Sequence, residues 1–564
     1  MPSPARCVPL LLTYSLVLAL IFARLSAEAA VTVSLGQNFI GSTYGDISQD
    51  VPPDANGAIG PGFFMEFING TVAVYNKTNG LSVQRKSDLE FWTDAGLIIA
   101  ANTATTDPRV IYDPTVQRWF AVQVDFNATA SDPTLVANKF LFAVTTTADP
   151  TTGWIGFKFQ ADPSTGNFAD FPTLGVDGNA VYISGDFFHA NVPIGPGLVS
   201  IPKADLIAST PTIANRHWFG VMSYATRGQV LQPAICFDGS SSGQVLAMGD
   251  IGNDSDPHSN VVSFAVQNAG GASPTLSAST SISVSPYVVP FNNNMGVPLF
   301  AAVQPDSSAT LQANDARLSA KVYAVNGVLY AVHNTEVNNR IAIRWYRINA
   351  ANHTLLESGT IADANLDLFF PSIAANANGV VVIGCNGSSA STFVSSFAYV
   401  GETVNGATSF GSRVLLQTGA NNYHDANEIL AQLLGDPVTN SRWGDYSAMS
   451  VDPNDPTRFW TIQTYPSGLD PGGSGVGIWS TQITELITTQ TGTIPPPQLT
   501  IAPAGTNVLV SWSSSASSFQ LQTTTNLPAS SWALASQTRS TNGGLISMLI
   551  PKSASRQFFR LLGP

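Results

Sequence analysis

The sequence predicts an all-β protein, built as a seven-bladed β-propeller followed by a small β-sandwich. Short runs rich in Val, Ile, Phe, Tyr and Thr alternate with turns rich in Gly, Pro, Asn and Asp, and long helical periodicity is hard to find. A strand-and-turn phrase repeats seven times. Because 564 residues are too many for one small core, a repeat architecture or several domains are expected.

The repeated phrase consists of a polar or aromatic start, an apolar strand and a tight turn at Asp or Asn. Its turn residues recur about every 50 to 90 positions, which suits four-stranded blades with inserted loops of unequal length. The apolar run resumes after the turn, so each turn is predicted to join two antiparallel strands of a blade. We place the turns at Asn56, Asp113, Asp177, Asp238, Asn326, Asn376 and Asp452.

Changes in composition divide the chain into four segments. Residues 1–30 have the features of a secretory signal peptide, with a cationic start, an apolar run too short for the ~20 residues of a membrane span, and small residues at 27–29. Residues 31–490 are assigned to the propeller, 491–498 to a Pro-rich linker and 499–564 to a fibronectin-III-like sandwich. We therefore expect a secreted protein, extracellular or cell-surface associated, with no transmembrane segment in its mature form.

Charge and cysteine content exclude several classes of function. The chain carries 24 Lys and Arg against 37 Asp and Glu, a net charge of −13, and has no basic cluster for nucleic acid. Charged residues make up only 11% of the chain, which is typical of a neutral-looking exoprotein. The His residues are scattered without zinc-site spacing. Cys236 and Cys385 remain after the signal segment, and we expect two buried free thiols.

Three phrases carry a resemblance to a family of secreted bacterial β-propeller proteins. They begin at Asp107 (DPRVIYD), Asp170 (DFPTLGVD) and Arg442 (RWGDYSAMSVDP), and the resemblance covers most of residues 45–485. It implies the fold and implies no reaction. Around Val510-Ser511-Trp512 and Phe558-Phe559-Arg560, the C-terminal segment resembles the fibronectin-III-like modules of Verrucomicrobia and Planctomycetes exoproteins.

Candidate functional residues lie where the phrase begins, because the inner strands of a propeller start at one mouth of the central channel and loops from every blade converge there. The catalytic candidates are Asp107, Asp170 and Asp445. The candidate ligand-binding residues are Asp54, Arg109, Arg317, Arg442 and Tyr446. Sialidase-like propellers use an Arg cluster with a Tyr nucleophile, but the Ser-x-Asp-x-Gly-x-x-Trp box of that family is absent here.

These residues admit several interpretations. The first is an extracellular binding propeller that recognises carbohydrate or protein at the channel mouth. The second is an exported polysaccharide hydrolase, which needs two carboxylates as acid and base. A calcium site is a third, because clustered carboxylates suit hard cations, and the acidic loop 250–256 is another candidate for it. In the fourth, each Asp caps a strand and pairs with Arg to lock adjacent blades.

Overall fold

A computed structural model describes residues 31–249, 257–290, 301–306, 310–434, 440–490, 498–516, 519–526, 532–542, 545–553 and 556–562. The predicted signal peptide, most of the Pro-rich linker and the acidic loop 250–256 lie outside these ranges.

The described residues form seven propeller blades, and the short strand Ile235–Cys236 joins blades 3 and 5 into one nine-stranded sheet. Blade 1 contains Gly57–Ile59, Phe63–Ile68, Thr71–Asn76 and Ser82–Lys86. Blade 2 contains Thr103–Asp113, Arg118–Asn127, Lys139–Thr145 and Trp154–Gln160. Blade 3 contains Phe168–Val176, Ala180–His189, Val192–Pro202 and His217–Val221. Blade 4 contains Gln229–Pro233, Ile235–Cys236, Gln244–Met248, His258–Gln267, Thr275–Leu276 and Thr280–Tyr287.

The remaining blades complete the ring. Blade 5 contains Tyr323–Val325, Val328–Val337, Arg340–Asn349 and Thr354–Ile361. Blade 6 contains Asp367–Ala375, Val380–Ser389, Thr392–Val404, Ala407–Phe410 and Val414–Gln417. Blade 7 contains Ala448–Val451, Arg458–Leu469, Gly477–Gln490 and, from the start of the described chain, Val31–Thr43. The predicted seven-bladed, all-β architecture is confirmed.

Blade 7 closes the ring by combining strands from both ends of the propeller. Val31–Thr43 pairs antiparallel with Gly477–Gln490, from Val31 opposite Gln490 to Thr43 opposite Ser480. Opening the ring would therefore require breaking a long strand pairing. Between blades 3 and 5, the inner strands lie parallel, because Ile235 of blade 4 pairs with both Val176 and Tyr323.

In blades 2 to 7, apart from Asn326 of blade 5, the Asp or Asn at the turn has two structural tasks. One oxygen closes the turn by accepting a nearby backbone N–H, as Asp113 does from Thr115. The rest of the side chain reaches the following blade: Asp177 accepts the N–H of Gly243, and Asp238 accepts that of Asn326. Further links are Lys203 to Asp113, Asn326 to Ala377, Asn376 to Pro456 and Lys77 to Asp452. These contacts run from blade 2 through blade 7 and on to blade 1.

The turn predicted for blade 1 is wrong. The chain reverses at Gly60–Gly62, where the Gly60 N–H donates to the Phe63 carbonyl, while the Asn56 side chain accepts the Val110 N–H of blade 2. The short inner strand Gly57–Ile59 ends at Gly60 rather than at Asp or Asn, which is why the repeat was misaligned there.

A left-handed residue recurs near the start of five inner strands. Asp54, Asp107, Phe171, Val230 and Phe370 have φ between 47° and 60°, a region that costs ~1–3 kcal/mol for residues other than Gly. In blades 2, 3, 4 and 6 the residue lies in a β-bulge, where the pairing with the second strand slips. Such bulges change the direction of a side chain, and here they lie at one mouth of the channel.

The C-terminal segment forms two sheets around one core. The first contains Thr500–Ala504, Asn507–Ser513, Ser540–Asn542 and Leu545–Pro551, and the second contains Gln520–Thr524, Ala533–Leu534 and Phe558–Leu562. Trp512, Leu521 and Met548 belong to the shared core, so the predicted small sandwich is present.

Helical segments are few and short in the part of the chain that the structure describes. Four α-helical segments are Asp88–Asp94, Lys203–Leu206, Tyr224–Arg227 and Ala426–Leu434, and 3₁₀ turns occupy Pro133–Leu135 and Ser514–Ala516. Within the described ranges, no helix has the length and apolar character required to cross a membrane. Cys236 and Cys385 are free and buried, as expected.

Glu66 provides a test of how the ring is closed. Its carboxylate is fully buried in blade 1 and accepts hydroxyl donors from Ser42 and Thr481 of blade 7 and from Tyr75 of its own blade. Glu66→Met leaves these three hydroxyls buried without their acceptor. We expect the free energy of unfolding to fall by about 3 kcal/mol, measured by urea denaturation.

The matched control is Glu90→Met, which removes an exposed helix cap and should cost about 1 kcal/mol or less. Equal losses in the two variants would contradict a special role of Glu66 in ring closure.

Candidate functional site

The starts of the inner strands surround a polar mouth of the central channel. Its cavity measures ≈ 450 Å³ and receives side chains from blades 1, 2 and 3 and from the segments that enter blades 5 and 7. Six of the eight predicted residues line it, namely Asp54, Asp107, Asp170, Arg317, Arg442 and Asp445. The structure therefore brings together carboxylates and guanidinium groups that are far apart in the chain.

Asp54 and Asp107 are buried and connect neighbouring blades. The Asp54 carboxylate accepts the Asp445 N–H at 2.7 Å and the Asn69 amide at 3.0 Å. Asp107 accepts the N–H of Phe171 at 3.0 Å. Their left-handed backbone conformation accompanies this cross-blade bonding. These two aspartates therefore link adjacent blades through backbone N–H donors rather than through the predicted pairing with Arg.

Two arginines at the mouth are held by aspartates. Arg442 donates to both oxygens of Asp445 at 2.9 and 2.7 Å, and Asp445 also accepts the Asn314 amide. Arg317 donates to both oxygens of Asp315 at 2.7 Å. The side chains of Arg317 and Arg442 are 19% and 34% exposed, so they keep donors within reach of a ligand.

Arg109 and Tyr446 lie below the mouth rather than on its surface. The Arg109 guanidinium is buried, 3.3 Å from the centre of the Tyr446 ring, and donates to the carbonyls of Pro172 and Ser319. The Tyr446 hydroxyl donates to the Pro108 carbonyl. These bonds span the channel between blades 2, 3, 5 and 7. Both residues form its floor, and their predicted role in ligand binding is untested.

Burial and neighbouring charges shift the pKa values of two carboxyls at the mouth in opposite directions. Burial, reinforced by Asp107 and Asp445, raises the pKa of Asp170 to about 8. Burial also acts to raise the pKa of Asp445, but the Arg442 charge and hydrogen bonds, with Arg317 and Arg109, outweigh it and lower that pKa. The mouth therefore combines a protonated carboxyl with an ionised one near neutral pH.

A cation site at this mouth has partial geometric support. Carboxylate oxygens of Asp54, Asp107 and Asp445 lie within 4.8 Å of one another, a spacing that one hard cation can bridge. The guanidinium groups of Arg109 and Arg442 already supply positive charge beside these oxygens. Calcium binding stays a prediction from the sequence.

Sequence reasoning missed the side chains that complete the rim. Gln312 and Asn314 line the cavity, and Gln312 accepts a hydrogen bond from Arg442. Gln312 belongs to a small parallel pairing of Thr310–Gln312 with Asn440–Arg442, and Asn314 follows two residues later. Both strands come from the two longest spacings between turn residues in the chain, before blades 5 and 7. The length of these two insertions was the signal in the sequence that could have indicated additional residues at the rim.

Comparisons with known proteins give no family. No protein-family profile matches the chain, and no curated protein matches it. Among solved structures, a protein of unknown function from Dyadobacter fermentans is similar at 11% identity, covering 69% of this chain and 96% of that one with a TM-score of 0.37.

Two enzymes are also similar to the chain. The GH93 α-L-arabinofuranosidase of Fusarium graminearum, in complex with arabinobiose, is 8% identical (79% and 98% covered, TM-score 0.36). A mutant Trypanosoma rangeli sialidase displaying trans-sialidase activity is 11% identical (80% and 60% covered, TM-score 0.35). Similarity at this level assigns no activity to this chain.

The raised pKa of Asp170 predicts that the stability of the protein depends on pH. Between about pH 4 and pH 8 the folded state holds a proton that the unfolded chain, with the ordinary pKa of 3.8, releases. This proton linkage lowers the free energy of unfolding as the pH rises through that window. Asp170→Asn cannot ionise, so it should gain at least about 1 kcal/mol relative to wild type between about pH 5 and pH 8, measured by urea unfolding.

Asp94→Asn is the control for that measurement, because the Asp94 side chain is 64% exposed and paired with Lys86 at the surface. If both variants follow the wild-type pH profile, the Asp170 carboxyl is ionised throughout.

Proposed function

We propose that this protein is a secreted, extracellular β-propeller that binds carbohydrate at its polar mouth. The observation that carries the proposal is the convergence of Asp170, Arg317, Arg442 and Asp445, with amides beside them, around one open cavity of ≈ 450 Å³. Volumes of about 300–1,000 Å³ are usual for small-ligand sites. Paired oxygens and forked donors in fixed positions suit the hydroxyl groups of a sugar.

Charge at the mouth favours a neutral polyhydroxylated ligand. Burial raises the pKa of Asp170 to about 8, which reduces the negative charge of the mouth near neutral pH, and burial shifts the pKa values of Asp54 and Asp107 in the same direction. Arg442 balances Asp445. A strongly anionic or cationic ligand would meet little uncompensated charge, whereas a glycan would meet hydrogen-bonding groups.

A protein partner is less well supported at this mouth. Protein interfaces depend on buried aromatic and Arg anchors near the centre of the contact. The aromatic side chains in the cavity lining are Phe126 and Phe171, and Phe171 is already buried beside Arg109 and Arg317. The two arginines at the mouth are each occupied by an aspartate.

A glycan array followed by calorimetry tests the proposal. Asp170→Ala removes a group at the mouth that makes no cross-blade hydrogen bond of the kind made by Asp54 and Asp107. It should lower the affinity for the tightest-binding glycan by about tenfold. Asp170→Asn keeps hydrogen-bonding capacity and should retain more affinity than the alanine variant. Asp94→Ala, at an exposed position outside the mouth, is the matched control. Unchanged glycan affinity in Asp170→Ala would remove the mouth as the binding site.

Glycoside hydrolysis is a second candidate function, favoured by the opposite pKa shifts of Asp170 and Asp445. A protonated Asp170 could donate to the glycosidic oxygen while ionised Asp445 acts as base or nucleophile. Each glycan that binds is therefore also assayed for new reducing ends. In a hydrolase, Asp170→Asn keeps binding but loses turnover by at least about a hundredfold. Binding without product from the wild-type protein supports the binding function alone.

A further inference from the structure

The opposite mouth of the channel has a different chemistry. Here the turns at the ends of the inner strands surround a cavity of ≈ 190 Å³. Its walls are mainly apolar and come from at least six blades, with Ile59, Ile111, Ile235, Tyr323, Ala375 and Val451 among them. This cavity is separate from the polar mouth and does not depend on the proposed carbohydrate function.

Lys321 brings a buried amine to the floor of this apolar space. It lines the cavity from the segment that enters blade 5, and its side chain reaches across the channel to blades 1 and 2. Its Nζ donates to the carbonyls of Gly57 and Val110, both at 2.8 Å. An ammonium group has three donors, so one remains beyond these two bonds.

Among the described residues, no carboxylate forms an ion pair with Lys321. Burial, and then repulsion from the Arg109 cation, lower its pKa to about 7. Arg109 has Asp54, Asp107 and Asp445 on its side of the channel, whereas the amine on the apolar side has none of these.

The two carboxylates at the cavity rim are engaged elsewhere. Asp452 is paired with Lys77. Asp238 accepts the Asn326 N–H and the Ser240 hydroxyl. The cavity thus has an apolar wall, a cationic floor and a rim whose acids already have donors.

We propose that this cavity binds a small apolar monocarboxylate, whose carboxylate accepts a hydrogen bond from the Lys321 amine while its ring or short chain fills the apolar space. The size fits, since an apolar cavity of ~150 Å³ takes up benzene and this one is somewhat larger. Ion pairing is strong where water is excluded, and the incoming carboxylate supplies the missing counter-charge.

Calorimetry with benzoate and the neutral isostere benzamide, on the acidic side of the Lys321 pKa, tests the proposal with the full chain. Wild type should bind benzoate with a Kd of about 1 mM or tighter, and about thirtyfold more tightly than benzamide. Lys321→Met should abolish the preference for the carboxylate. Because Lys321→Met also removes the donor to the Gly57 and Val110 carbonyls, its fold is checked by circular dichroism before the titration.

Val325→Phe provides a second test that keeps the amine. Val325 lines the cavity and is partly exposed, so a larger ring there fills the space, and benzoate binding should be lost. If Lys321→Met does not fold, the Val325→Phe variant and the comparison of benzoate with benzamide still test the proposal. Benzoate binding weaker than about 1 mM, equal affinity for the two ligands, or wild-type benzoate affinity in Val325→Phe would overturn the proposal.

Discussion

The propeller depends on the Asp or Asn at the turn of each inner strand from blade 2 to blade 7. Five of these six residues close their own turns with one oxygen, and all six side chains also contact the following blade. Inner strands of a propeller lie side by side with little direct pairing, so their relative positions must be fixed by contacts of this kind. With the strand ends fixed at one mouth, the strand starts at the other mouth are also brought into a defined arrangement. The arrangement of the polar site therefore depends on bonds at the far end of the channel as well as on its own cross-blade bonds from Asp54 and Asp107.

Between the two mouths, polar side chains fill the channel and satisfy inward-facing carbonyls. Arg109, Lys321 and Tyr446 donate across the axis to carbonyls of other blades. A buried carbonyl without a donor costs free energy, so these long side chains stabilise the ring while closing the channel. Their placement also divides the chemistry of the protein. Carboxylates gather on the Arg109 side, and apolar walls surround the amine of Lys321 on the other.

The repeat made the blade architecture predictable, because turn chemistry requires Asp or Asn at a fixed place and leaves a visible pattern in the sequence. It failed at blade 1, where Gly60 replaces that residue and the pattern was aligned to Asn56. The convergence of Asp54, Asp107, Asp170 and Asp445 also followed from the repeat. The sequence could not show that Arg109 lies under Tyr446, since that contact joins residues from blades 2 and 7. Nor did it reveal the rim strands Thr310–Gln312 and Asn440–Arg442, which belong to insertions outside the repeat.

The central claim is that one ligand site is assembled at the polar mouth from residues of several blades. A crystal structure of the protein with the tightest glycan from the array tests this most directly. The account predicts sugar density in the polar mouth, with hydroxyl groups in hydrogen-bonding contact with Asp170, Arg317 and the Arg442–Asp445 pair. Sugar density on the outer edge of a blade or on the C-terminal sandwich, with the mouth empty, would contradict it.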